Sequence, residues 1–251
     1  MENVINALSS VSIFSELDSS ILNRLSERAH QTTQKKGKLL FIHGDIAEHY
    51  YVVKSGHVKL FRETLDGVQA VIDVLSAGDI FGHNLLFDDH TYPYSAEVAQ
   101  SGSIISLPLS DLREEIYNSN ETAISVLRSI AHQLKRKERE LEHRATQSAT
   151  QRISCFILRQ ALQEKSSLLV IRLPYDKMLL AARLGMQPET FSRALSRLKK
   201  KTGIRIEGSF IHLDTIEQLS TYACSSCSGK FPCEDLSRDD PTKPLKLHDH
   251  K

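Results

Sequence analysis

The chain has 251 residues and a mass of 28.3 kDa, with 40% hydrophobic and 25% charged side chains and a formal net charge of +1. These values suit a globular protein with chain enough for one large domain or two modest ones, and no apolar run reaches the roughly 18 residues of a membrane span. The opening Met1-Glu2-Asn3-Val4-Ile5 lacks the basic and apolar regions of a secretory signal, so a cytoplasmic protein without a membrane partner is expected. In that compartment four cysteines, three of them within ten residues, point to metal or redox chemistry rather than a disulfide framework.

Helical spacing of Leu17, Ile21, Leu22 and Leu25 marks a helix within the first 30 residues, with Asp18 placed to cap it. From Gly37 to Gly102, seven of the eleven glycines punctuate short β-rich runs at residues 38–42, 50–54, 57–62, 68–75 and 103–107. Strands that short between Gly-bearing turns predict an antiparallel barrel or sandwich. Asp66-Gly67 suits a tight hairpin turn. Asp111 then opens a long helical segment to about Arg144 that contains neither Gly nor Pro. Within it Ala123, Leu127, Ile130, Leu134 and Leu141 recur on three- and four-residue steps, interrupted at Lys137. Such a stripe suits a coiled-coil dimer interface or an intramolecular packing face, and periodicity does not separate the two.

Residues 145–151 read as a hinge of small polar side chains. A helix at 152–163, a short strand near 168–173 and a helix from 175 to about 183 follow. After a turn at Leu184-Gly185-Met186, the next helix starts at Gln187-Pro188, where proline fits the first turn, and runs to Lys201. Residues 204–207 and 210–213, joined through Gly208-Ser209, complete a two-stranded wing. Two short helices about a Gly turn, followed by a hairpin, predict a winged helix-turn-helix.

The near-zero total charge conceals a partition. Residues 1–110 hold 8 basic and 13 acidic side chains, a net of −5, and residues 111–150 balance at 7 and 7. Residues 151–213 hold 12 basic and 4 acidic, a net of +8, while 214–251 hold 5 and 7, a net of −2. A compact basic block is what a phosphate-binding surface requires.

Residues 10–215 resemble the Crp/Fnr superfamily of bacterial transcription regulators. Phe81-Gly82 with the loop to Ser95-Ala96 is similar to that family's effector-binding phosphate loop. Leu184-Gly185-Met186-Gln187-Pro188-Glu189-Thr190-Phe191-Ser192-Arg193 is similar to its turn and recognition helix. The resemblance implies an α+β fold with four parts. They are a cyclic-nucleotide-binding-like β-roll over 1–110, a dimerisation helix over 111–145, a winged helix-turn-helix over 146–215, and a Cys-containing tail over 216–251.

Glu189, Ser192 and Arg193 share one face of the predicted helix near its N-terminus, the end that reaches base edges in the major groove. Arg donates twice to guanine O6 and N7, Glu accepts from cytosine N4, and Ser serves either role. Thr190 lies in the same first turn, and Arg197, Lys199, Lys200 and Lys201 suit phosphate contacts that set register. The Glu-x-x-Ser-Arg pattern resembles the Fnr branch. That resemblance implies a homodimer on a palindromic double-stranded operator similar to TTGAT-N4-ATCAA, with RNA polymerase as a further partner.

Cyclic-AMP members of the family place Glu after the Phe-Gly pair and Arg before the Ser. Here His83 follows Gly82, Tyr94 precedes Ser95, and Pro93 enters the loop. The effector pocket of Gly82, His83, Tyr94 and Ser95 is degenerate: without the Arg it loses a charge-assisted anion contact, so cAMP is not expected to bind.

Cys224-x2-Cys227-x5-Cys233 places three thiolates close enough to converge on a soft metal, with Gly229 and Pro232 turning the chain. Iron–sulfur clusters and zinc both use such sets. A C-terminal triad resembles the Bacillus-type Fnr branch, which implies an iron–sulfur cluster with a non-Cys ligand and a response to oxygen, nitric oxide or redox state. Cys155, beside Phe156, Ile157 and Leu158, reads as a core thiol, and His143 or a carboxylate is an alternative fourth ligand. The stretch 185–193 and the Tyr92-Pro93-Tyr94 loop also resemble Dnr-type members, so haem is a further alternative, with His43, His49, His57 and His83 as candidate axial ligands. Two other classes compete. A cyclic-nucleotide-type module acting on a protein partner would not need the +8 segment. An enzyme would need a nucleophile elbow, a phosphate-cradling Gly loop with Lys, or a His-Glu-x-x-His helix, and none is present.

Overall fold

Asp18 accepts a hydrogen bond from the Ser20 backbone N–H at 2.7 Å, so the helix α1 (Glu2–Ser9) is followed by a capped α2 (Ser19–Glu27). The computed structural model describes residues 2–11, 13–15, 17–87, 90–163, 170–173 and 177–223, in two units, one running to Leu134 and the other starting at Lys135.

In the first unit the chain continues through β1 (His30–Gln34), β2 (Leu39–Phe41), β3 (His49–Val53), β4 (His57–Glu63) and β5 (Gln69–Leu75). It then passes β6 (Ile80–Phe81), a 3₁₀ turn at His83–Leu86, β7 (Ser95–Gln100) and β8 (Gly102–Pro108). These pair into two four-stranded antiparallel sheets, ordered β1-β8-β3-β6 and β2-β7-β4-β5. The predicted hairpin joins β4 to β5: Gly67 N–H donates to Thr64 O, and Thr64 N–H donates to Val68 O. The strands β1, β6 and β7 are additions to the expected set. β1 reads His-Gln-Thr-Thr-Gln and is largely exposed, so no apolar alternation announces it.

A cluster of aromatic rings joins the largely aliphatic core of this unit. Phe41 stacks on Tyr92 with ring centroids 3.6 Å apart, and it also meets Tyr51, Phe81 and Tyr94 at 5.5, 6.1 and 6.1 Å. Tyr51 and Phe81 stack in turn at 5.1 Å. Aromatic pairs at these separations add to the area they bury.

The expected single helix from 111 to about 144 is corrected to two: α3 (Leu109–Asn118) and α4 (Asn120–Thr146). Ser119 between them is extended, and its hydroxyl accepts from Thr122 N–H at 3.2 Å, so the serine ends one helix and caps the next. The hinge is likewise shorter than 145–151. Helix α5 (Ala149–Gln163) opens two residues after α4 ends, with Ser148 and Gln151 bonding each other's backbone N–H groups in a capping box.

The second unit adds β9 (Val170–Arg172), α6 (Lys177–Arg183), α7 (Pro188–Thr202), β10 (Arg205–Glu207), β11 (Phe210–His212) and α8 (Glu217–Ala223). Its sheet has the order β10-β11-β9, so the two-stranded wing is corrected to three: β9 pairs with β11 through Ile171 and Ile211. Ile157, Leu158, Leu180, Phe191, Leu198, Ile211 and Leu219 form its core, and α8 packs against α5. Cys155 is buried in the same core.

Phe41 touches four rings, so Phe41→Ala is expected to destabilise the first unit by roughly 3–5 kcal/mol. Urea unfolding followed by tyrosine fluorescence checks this; a loss below about 1 kcal/mol would show that the cluster is not cohesive.

Candidate nucleic-acid interface and effector pocket

The helix α7 has two faces. Phe191, Ala194, Leu195 and Leu198 are buried, and Gln187, extended, precedes Pro188 at the first helical position. That burial turns Glu189, Ser192, Arg193, Arg197, Lys199 and Lys200 outward, all exposed, while Thr190 is half-buried at the edge of the face. The outward face therefore carries its acceptor and hydroxyl at the N-terminal end and its cations toward the C-terminal end, as base reading and phosphate contact require. Ser196, exposed between Arg193 and Arg197, belongs to this face too, and sequence reasoning passed over it. Lys201 leaves it: its ammonium lies 5.4 Å from the centre of the Tyr222 ring on α8. In the wing Arg205 is exposed and paired with Asp214 at 3.1 Å.

Gly82, His83, Tyr94 and Ser95, expected to line an effector pocket, lie together, and several of their polar groups are already engaged. Gly82 has φ +81°, and a Cβ there would also press on His49 O at 3.3 Å, so only glycine sits well. Its backbone hydrogen-bonds the Tyr94 hydroxyl, and burial pushes that phenol up to about 12. The Ser95 hydroxyl accepts from His43 N–H at 3.0 Å. The Tyr92 hydroxyl donates to His49 O at 2.6 Å, with its pKa raised by burial. Ser95 also borders a cavity of about 330 Å³ with Leu39, His43, Arg62, Glu63 and Glu97, a wall that carries a guanidinium as well as two carboxylates, one of them paired with Lys59.

His83 is 2% exposed, and neither ring nitrogen has a hydrogen-bond partner of ordinary geometry. Burial pushes its imidazole down to about 4, opposed by the Gln133 amide of α4. His43 and His49 are not similarly enclosed.

On α4, Val126 and Ser125 face the roll, where the Ser125 hydroxyl donates to Ile13 O at 3.0 Å. Ile130 packs against the roll's core and Ala123 is half-buried. Leu127, Leu134 and Leu141, at 60, 58 and 63% exposure, instead form an outward stripe one heptad apart, and Ile124 joins it. Cys224, Cys227 and Cys233 lie outside the described residues; among the described ones no group of three His, Cys, Asp or Glu could hold a metal ion. No helix among the described residues is long and apolar enough to cross a membrane.

Residues 32–119 match the cyclic nucleotide-binding domain family and residues 151–222 the Crp-like helix-turn-helix domain family. A solved regulatory protein from Silicibacter pomeroyi DSS-3 is 30% identical, with a TM-score of 0.66, covering 89% of this chain and 99% of its own. The CRP-like cAMP-activated global transcriptional regulator of Mycobacterium tuberculosis is 25% identical over 221 residues, 86% of this chain and 98% of that protein. The fumarate and nitrate reduction regulatory protein of Salmonella typhimurium is 25% identical over 195 residues, 75% and 76% of the two chains.

The buried imidazole makes stability depend on pH. Between about 6.5 and about 4 the unfolded chain binds a proton at His83 that the folded chain does not, so acid favours unfolding. The stabilisation is complete above 6.5 and is lost as pH falls through 4, a contribution of roughly 3 kcal/mol. Urea midpoints at a series of pH values should fall across that window in the wild type and flatten in His83→Gln. An identical slope in the variant would rule out His83 as the source.

Proposed function

The chain belongs to the Crp/Fnr superfamily and is a DNA-binding transcription regulator rather than an enzyme; on that footing we propose that it works as a homodimer on a palindromic operator and answers to a signal other than cAMP. The observation that carries the reading is α7: its buried face holds the helix down, and Glu189, Ser192 and Arg193 stand outward at its N-terminal end. Arg193 reads a guanine through O6 and N7, Glu189 accepts from a cytosine amine, and Ser192 lies between them. Arg197, Lys199 and Lys200 hold phosphates. The half-site they suit is similar to TTGAT, and RNA polymerase is the partner through which the bound dimer acts on transcription.

Dimerisation fits the exposed stripe of Ile124, Leu127, Leu134 and Leu141. Four large apolar side chains on one helix face, at heptad spacing, are covered by the same face of a second copy. The boundaries 1–110, 111–145 and 146–215 then describe a roll, a dimer helix and a reader.

Cyclic-nucleotide control is disfavoured by what occupies the roll. Tyr94 stands where an Arg would hold a phosphate and bonds Gly82 itself, and its ring packs beside Phe41. The haem alternative rests on His83, whose buried, neutral imidazole already has the Gln133 amide beside it. We assign sensing to the tail, where three thiolates at Cys224, Cys227 and Cys233 are a donor set for an iron–sulfur cluster, with zinc the competing occupant.

Two measurements test the reading. Arg193→Ala should lower the preference for the palindrome over random DNA by about 1–3 kcal/mol, read by fluorescence anisotropy at fixed salt, without changing thermal unfolding. Unchanged selectivity would remove Arg193 from the base-reading role. Anaerobically purified protein should show cluster absorbance with iron and sulfide, lost in Cys227→Ser; colourless protein holding zinc would assign the site to zinc, and haem absorbance would assign the sensor to haem.

A further inference from the structure

The turn that orients the recognition helix is seated on the end of the long helix by two side chains one helical turn apart. Arg144 lies flat against Gly185 in the turn between α6 and α7. A Cβ added to that glycine would stand 2.7 Å from the Arg144 Nε and 2.8 Å from its Cζ. One turn earlier on the same face of α4, Glu140 pairs with Arg183, the last residue of α6, at 3.3 Å. Neither partner is fully open to water, at 24% and 21% side-chain exposure. Lys137 holds the Glu140 carboxylate from the other side at 3.2 Å, which restricts the rotamer that reaches Arg183.

The covalent route from α4 to the reader is held by the capping box of Ser148 and Gln151, while the side chain of Gln147 is buried with its amide oxygen and nitrogen both without a hydrogen-bond partner. The side-chain contacts of Glu140 and Arg144 add a second, non-covalent hold on α6 and the turn before α7.

We propose that Glu140 and Arg144 are positioning residues that seat the helix-turn-helix on the long helix and so fix the separation at which two copies present their recognition helices to DNA. The proposal rests on the dimeric, DNA-reading function above. Two recognition helices can meet their half-sites only at the spacing their mounting allows. A looser mount tolerates operators with one or two base pairs more or fewer.

The test uses the full chain and palindromes whose central spacer is varied by one and two base pairs. Glu140→Gln and Arg144→Ala should each reduce the preference for the best spacing by roughly two- to fivefold, with affinity for a single half-site and the unfolding temperature unchanged. The charge exchange Glu140→Arg with Arg183→Glu should restore what Glu140→Gln loses. Stable variants that keep the wild-type preference, or an exchange that restores nothing, would overturn the seat. If the wild type prefers no palindrome, the DNA reading itself fails, and amide hydrogen exchange then decides the seat alone. Faster exchange in residues 180–186 of Glu140→Gln, reversed by the charge exchange, supports it; equal rates refute it.

Discussion

The burial of Phe191, Leu195 and Leu198 beneath α7 governs the chemistry of the second unit. A helix pinned by three large apolar side chains cannot rotate about its axis without exposing them. The directions of Glu189, Ser192 and Arg193 are therefore decided by residues on the opposite, buried face. The cations at the other end of the helix follow from the same constraint, since every charged position falls on the face left over. A reader of bases needs side chains held within a narrow angular range, and here packing supplies that precision.

In the first unit the equivalent role belongs to Phe41 and the rings around it. Hydroxyls of Tyr92 and Tyr94 reach backbone groups at His49 and Gly82 and leave the aromatic bodies to fill the interior. Those polar groups are thus spent on the protein's own backbone, while His83 in the same unit keeps both ring nitrogens without a hydrogen bond of ordinary geometry.

Much of this was legible in the residues. The Asp18 cap, the hairpin at Asp66-Gly67, the start at Pro188 and the exposed face of α7 all follow from local rules, because each depends on neighbours within four positions. What escaped depends on distant partners. β1 has no apolar pattern and exists because β8 pairs with it, and the third wing strand is set by pairing across some forty residues of chain. Ile130 belongs by spacing to the dimer stripe, yet it turns to the roll, since α4 has apolar residues on two faces and periodicity does not say which neighbour each one meets. The break at Ser119 was within reach: a serine whose hydroxyl caps the next turn is a start signal, even without Gly or Pro beside it. The engagement of Tyr94 with Gly82 was visible in the sequence only as a missing arginine.

Helix α8 settles a question of wiring. Leu219 and Ala223 are buried against the reader's core, and Tyr222 offers its ring to Lys201 at the end of the recognition helix. Cys224 is the very next residue. The tail therefore begins one peptide bond from Ala223, whose side chain is buried in the second unit's core, on the helix whose Tyr222 meets Lys201. In sequence nothing of the roll or the long helix stands between the three thiols and the recognition helix.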